Sequence, residues 1–181
     1  MAPEPDVVPQ RWELQFDPGD LRAVTVDVPG TGPRPFMYLT YRVTNGSGQD
    51  VFFAPSFEFS DGEGSVMRSG RDVPASVTAQ LLDSTRDPFM QDQVQIIGDI
   101  LQGPQHEKRG IVIWPLVDLN PEEVVIYVGG MSGESKGVVT PDGKTRFVVR
   151  KTVRLSYVSP GTLDIRTGKP LELSERTWIM R

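Results

Sequence analysis

Glycine and proline interrupt this chain so often that little besides short strands fits between the interruptions: 18 Gly and 16 Pro fall along 181 residues with no collagen-like period. The intervening stretches alternate apolar and polar residues with the period of two that turns one face of a strand toward a core. Phe36 to Asn45 is the clearest: Met37, Leu39, Tyr41 and Val43 share one face, and Tyr38, Thr40, Arg42 and Thr44 the other. Trp12 to Phe16 and Ala23 to Val28 alternate in the same way on either side of Asp17-Pro18-Gly19-Asp20, which reads as a tight turn between two strands. Val51 to Phe53 and Phe57 to Phe59 follow, separated by further breakers such as Asp61-Gly62-Glu63-Gly64.

Two runs, Gly110 to Trp114 and Val124 to Val128, are apolar on both faces, which predicts central strands covered on two sides. Thr145 to Val158 is a long β-rich stretch, and a last strand lies around Thr177 to Met180. Between the two groups of strands the pattern changes. Pro74 opens a segment with Val77 and Leu81 at i, i+4, and Val94, Ile96, Ile97, Ile100 and Leu101 also fit helical spacing, so a short helical insertion is expected over about 74–101. Residues 1–10, with three Pro, read as an extended arm, and 11–181 as one domain large enough to bury roughly 70% of its unfolded surface. The expected fold class is mainly β, an antiparallel sandwich of two sheets.

The stretch Tyr41-Arg42-Val43-Thr44-Asn45, Gly48-Gln49-Asp50, Phe53-Ala54-Pro55 and Phe57-Glu58-Phe59, with Gly110 to Trp114 and Tyr127 to Gly133 beyond it, resembles a pattern in uncharacterised bacterial extracytoplasmic domains. Those domains are similar to telokin-like immunoglobulin sandwiches. The resemblance covers about residues 12–133. It implies an immunoglobulin-like fold and an exported location, and it carries no catalytic residue. The opening Met1-Ala2-Pro3 lacks the basic-then-apolar plan of a signal peptide. A periplasmic or extracellular location is therefore expected if such a signal has been removed, and a cytoplasmic one otherwise.

Site chemistry is thin. The absence of Cys removes thiol nucleophiles and thiolate metal sites, and a single His makes zinc or copper implausible, so no metal or cofactor is expected. Gly130-Met131-Ser132-Gly133-Glu134 comes closest to a nucleophile elbow, but Glu134 stands where that turn needs Gly. His106, the one candidate base, sits in the charged stretch Gln105 to Arg109 and reads as a loop residue. Asp61 and Glu63 lack the spacing of a calcium loop. Asn45-Gly46-Ser47 matches a glycosylation acceptor and, better, a hairpin turn.

Charge is the remaining signal. The chain carries −5 overall, yet from Lys144 onward nine basic residues stand against three acidic ones. Period-two geometry puts Arg146, Arg150 and Arg154 on one face of the Thr145 to Val158 strand, with Phe147, Val149, Val153, Leu155 and Tyr157 on the core face. That basic face is the expected site for a protein or other anionic partner, unless acidic residues of the same domain neutralise it. Nucleic acid is disfavoured by the acidic total and by the lack of interleaved aromatics. No apolar run reaches the length of a transmembrane helix. The expectation is a non-enzymatic structural or protein-interaction module. The alternatives are a domain binding carbohydrate or another small polar ligand through Tyr38 or Phe36 with Arg42, and then a hydrolase. Oligomeric state is not readable from these patterns.

Overall fold

A computed structural model describes residues 12–181; the expected N-terminal arm lies outside them. The described residues form twelve strands and one α-helix: β1 (Gln15–Val28), β2 (Gly32–Thr44), β3 (Val51–Phe53), β4 (Ser56–Ser60), β5 (Val66–Arg68), α1 (Ala75–Thr85), β6 (Met90–Gln91), β7 (Gly98–Ile100), β8 (Lys108–Pro115), β9 (Val124–Gly129), β10 (Ser135–Val139), β11 (Arg146–Tyr157) and β12 (Leu173–Met180). The protein is mainly β. One sheet runs β1-β2-β8-β6, antiparallel except for the short β6–β8 pair. A larger sheet runs β5-β4-β9-β11, with β12 along one edge of β11 and β10 pairing its N-terminal half; β3 and β7 form a third, two-stranded sheet.

The two larger sheets face each other across one core. Phe16, Met37, Leu39, Tyr41, Val43, Val112 and Trp114 from one meet Phe57, Phe59, Ile126, Val128, Val153 and Leu155 from the other, all buried. Tilted ring pairs cross the interface, with Tyr41 and Phe57 centroids 4.6 Å apart and Phe59 and Trp114 6.4 Å apart. The Trp114 indole N–H donates to the Met67 carbonyl at 3.1 Å, so the largest core side chain leaves no donor unpaired.

The doubly apolar run in β8 has a simple cause. Val112 and Trp114 point into this core, while Ile111 and Ile113 point the other way, into a second cluster with Val26, Val28, Phe36 and the helix residues Val77 and Leu81. Helix α1 thus covers the outer face of the smaller sheet. Its start at Pro74 and its two buried residues agree with the pattern in the sequence.

Four expectations need correcting. Asp17-Pro18-Gly19-Asp20 is no turn: β1 continues through it with one extra residue between Pro18 and Leu21, so Pro18 faces Tyr41 and Leu21 faces Leu39. The bulge shifts the inward parity by one, bringing both Phe16 and Leu21 into the core. Pro18 is tolerated because β1 is an edge strand, and Gly19 is required because a Cβ there would lie 2.5 Å from the Thr40 hydroxyl.

The helical insertion over 74–101 is helical only as far as Thr85. Beyond it the Asp92 carboxylate accepts from the Val94 and Gln95 amides in a single turn, and Gly98, at φ 142°, enters strand β7 against β3. Only Ile96 and Ile100 of the apolar cluster are buried.

Phe147 and Val149 are not core residues. The β10–β11 hairpin runs on past the facing sheet, leaving Phe147 45% exposed, and the core face of β11 begins at Val153. Asn45-Gly46-Ser47 follows β2 but does not close a hairpin, since β2 pairs with β1 and β8 while β3 pairs with β7.

Candidate functional site

The outer face of the larger sheet carries a groove of about 670 Å³. Its origin lies in three small residues set side by side. Ser56 on β4 faces Gly129 on β9, and Gly129 follows Val128, which faces Val153, so it lies alongside Thr152 on β11. No side chain at Gly129 fills the trough, and a Cβ there would lie 2.6 Å from the Ser56 hydroxyl. Thr152 is nearly buried, its hydroxyl donating to the Arg150 carbonyl at 3.0 Å.

Charge lines this trough unevenly. Register places Arg68, Glu58, Tyr127 and Arg154 in one cross-strand row on the same face. The Arg181 side chain reaches across β11 to lie over the Tyr127 ring, 4.2 Å from its centroid, and it pairs with Glu58. Glu134 at the rim pairs with Lys151 at 3.5 Å, and Lys151 also holds Glu13 at 2.7 Å. The Glu13 carboxylate accepting from it, first among the causes, pushes the Lys151 ammonium above its usual range. Arg154 bonds Glu175 at 3.4 Å. Among the described residues that leaves Arg68 and Arg150, both exposed and both lining the groove, as its arginines without an ion pair.

The sequence-predicted basic residues therefore separate. Arg150 lines the groove, Arg154 is neutralised by Glu175 on β12, and Arg146 lies at the exposed start of β11, away from the groove lining. Arg68, Arg181, Trp12 and Phe52 join Arg150 there, although no local pattern links them. Alternation along Ser56-Phe57-Glu58-Phe59 does point Ser56 and Glu58 outward, so that part of the floor was within reach of sequence reasoning.

Tyr38 and Arg42 lie on the other sheet. Phe36, expected as an exposed aromatic, is 3% exposed beneath α1, and Tyr38 packs half-buried against the same cluster. Burial, the largest cause, raises the Tyr38 hydroxyl above its ordinary value, opposed by the charge of Arg22. Arg42 faces Arg109 across β2 and β8 in a second depression with Asp17, Asp20, Asp87 and Glu107. There Arg109 bridges Asp87 and Glu107, both at 2.9 Å. The Phe89 amide and then Arg109 hold the Asp87 carboxyl below the usual carboxylate range. Four carboxylates stand against two arginines in this depression, so its field is net negative and does not favour an anionic partner.

Residues weighed for catalysis are not assembled. No hydrogen bond joins Ser132 to His106 among the described residues, and the Ser132 hydroxyl instead accepts from the Glu134 amide at 3.1 Å. Among the described residues, no group of three or more His, Asp or Glu is placed to hold a metal ion. No helix of the described chain is long and apolar enough to cross a membrane. No family model matches the sequence, and neither the curated proteins nor the solved structures hold a match.

Proposed function

We propose that this protein is a non-enzymatic interaction module of the immunoglobulin-like sandwich type, and that it engages a protein partner through the groove on the larger sheet. The observation that carries the reading is the pair of exposed arginines without ion pairs, Arg68 and Arg150, flanking a trough of small residues. Two antiparallel sheets facing across one core support the sandwich assignment, while helix α1 and the parallel β6–β8 pair extend it beyond a minimal sandwich. The resemblance to extracytoplasmic domains favours an exported or envelope-associated location.

A carbohydrate reading has less support, because sugars stack on open aromatic faces and Phe52 alone of the groove's described aromatics is exposed. Arg181 covers the Tyr127 ring, and Trp12 lies against Gly133, whose Cβ would sit 2.6 Å from the indole nitrogen.

Photo-crosslinking side chains at Ser56 and Ser135 test the interaction reading in extracts of the source cells. Discrete protein adducts are expected from these groove positions, lost on Arg150→Glu and absent from a probe at Thr31 on the opposite sheet's turn. Adducts equally strong from Thr31, or unchanged by Arg150→Glu, would contradict it.

A further inference from the structure

We propose that the groove takes an extended acidic peptide segment lying diagonally across the strands, with two carboxylates six positions apart, one on Arg68 and one on Arg150. This rests on the interaction reading above and adds the chemistry of the partner.

The spacing follows from register. Arg68 and Arg154 stand in one row across β5, β4, β9 and β11, three strand spacings apart, or about 14 Å. Arg150 lies four residues along β11 from Arg154, about 13 Å further in the strand direction. The diagonal between the free guanidinium groups' backbones is therefore about 19 Å, which an extended chain spans in about six residues at roughly 3.3 Å each. An even interval also keeps both acidic side chains on the same face of the peptide.

Between the two ends the segment crosses Arg181, already shared with Glu58, and the small side chains of Ser56 and Thr152. The middle of the peptide therefore needs no charge. Phe52, 65% exposed, and Val148, 59% exposed, form apolar shoulders of the same groove and suit apolar residues on that segment. The site asks for two negative charges and no more, because the chain as a whole carries −5 and repels a dense polyanion.

Fluorescence anisotropy of labelled neutral host peptides on the full chain tests this at low ionic strength. The arms are two Glu at a spacing of six, two Glu at a spacing of two, two Lys at a spacing of six, and an oligonucleotide of equal length. The spacing-six Glu peptide is expected to bind about tenfold more tightly than the spacing-two peptide, as one additional charge-assisted contact would give. Arg68→Glu and Arg150→Glu should each remove that advantage, and the double reversal should bind the Lys peptide instead.

Equal binding at both spacings, no peptide binding at all, or an oligonucleotide bound as tightly through the same arginines would overturn the proposal. Should a reversed variant fail to fold, the comparison of spacings on the unaltered chain still decides. Failure of every peptide alongside Arg150-dependent crosslinks would reject the acidic segment and leave the interaction reading standing.

Discussion

Asn45 is fully buried at the end of β2, and its side-chain amide is used to capacity. It donates to the Gln49 and Ile100 carbonyls, both at 2.8 Å, and accepts from the Ser47 amide at 3.0 Å and the Ser47 hydroxyl at 2.7 Å. Both amide hydrogens are thereby committed in the folded chain. Asn45→Ala would remove the buried donor to the Ile100 carbonyl and the acceptor of the Ser47 amide, while the Ser47 hydroxyl still reaches the Gln49 carbonyl, and is expected to cost about 1–3 kcal/mol, read as a lowered denaturation midpoint. A loss below about 1 kcal/mol would mean that water replaces these bonds. The sequence showed Asn45-Gly46-Ser47 as turn chemistry, and it is an Asn-anchored turn. What no local pattern could reveal is the partner at Ile100, 55 residues away. Gly110 teaches the same lesson: it faces Tyr41 across β2 and β8, and the ring lies where a Cβ would stand, 2.3 Å from its Cζ.

At the scale of elements, α1 shows how little besides tertiary burial holds a short helix. Pro74 precedes it without a side-chain cap, its first turn has no acid, and its last turn has no base. Val77 and Leu81, 0% and 5% exposed, are its anchors on Ile111, Ile113 and Phe36. Leu81→Ala is therefore expected to speed hydrogen exchange across residues 75–85 selectively, with the amides of β2 and β9 staying protected. Uniform loss of protection would show that helix and sheets unfold as one unit.

This element was legible because i, i+4 apolar spacing after a proline is a local signal. The bulge in β1 was hidden, since the same Asp-Pro-Gly-Asp residues serve a turn equally well and only the partner strand decides. The run from Val94 to Leu101 misled for a related reason. Its helical spacing was overridden by the pairing of β7 with β3, a contact across the insertion that periodicity does not encode.

Across the whole molecule, alternation gave the inward face of β2, and the doubly apolar runs marked β8 and β9 as central strands without telling which of their faces meets which cluster. Sheet order was not contained in that signal. The groove depends on it entirely: Arg68, Glu58, Tyr127 and Arg154 share a row only because β5, β4, β9 and β11 lie side by side. The basic bias after Lys144 pointed to Arg150, but the same long-range pairing also brought Glu175 against Arg154 and carried Arg181 to Glu58. Neutralisation and exposure of the basic face are thus both present, sorted residue by residue according to what stands opposite on β12 and β4.

The most direct test of a partner groove on this face is the amide nitrogen–proton NMR spectrum of the labelled chain, recorded while the acidic spacing-six peptide is added. The account predicts saturable shifts clustered at Ser56, Arg68, Gly129, Arg150 and Thr152, with Tyr38 and Arg42 on the opposite sheet unmoved. Shifts centred on Tyr38 and Arg42, or scattered evenly over both sheets, would contradict it.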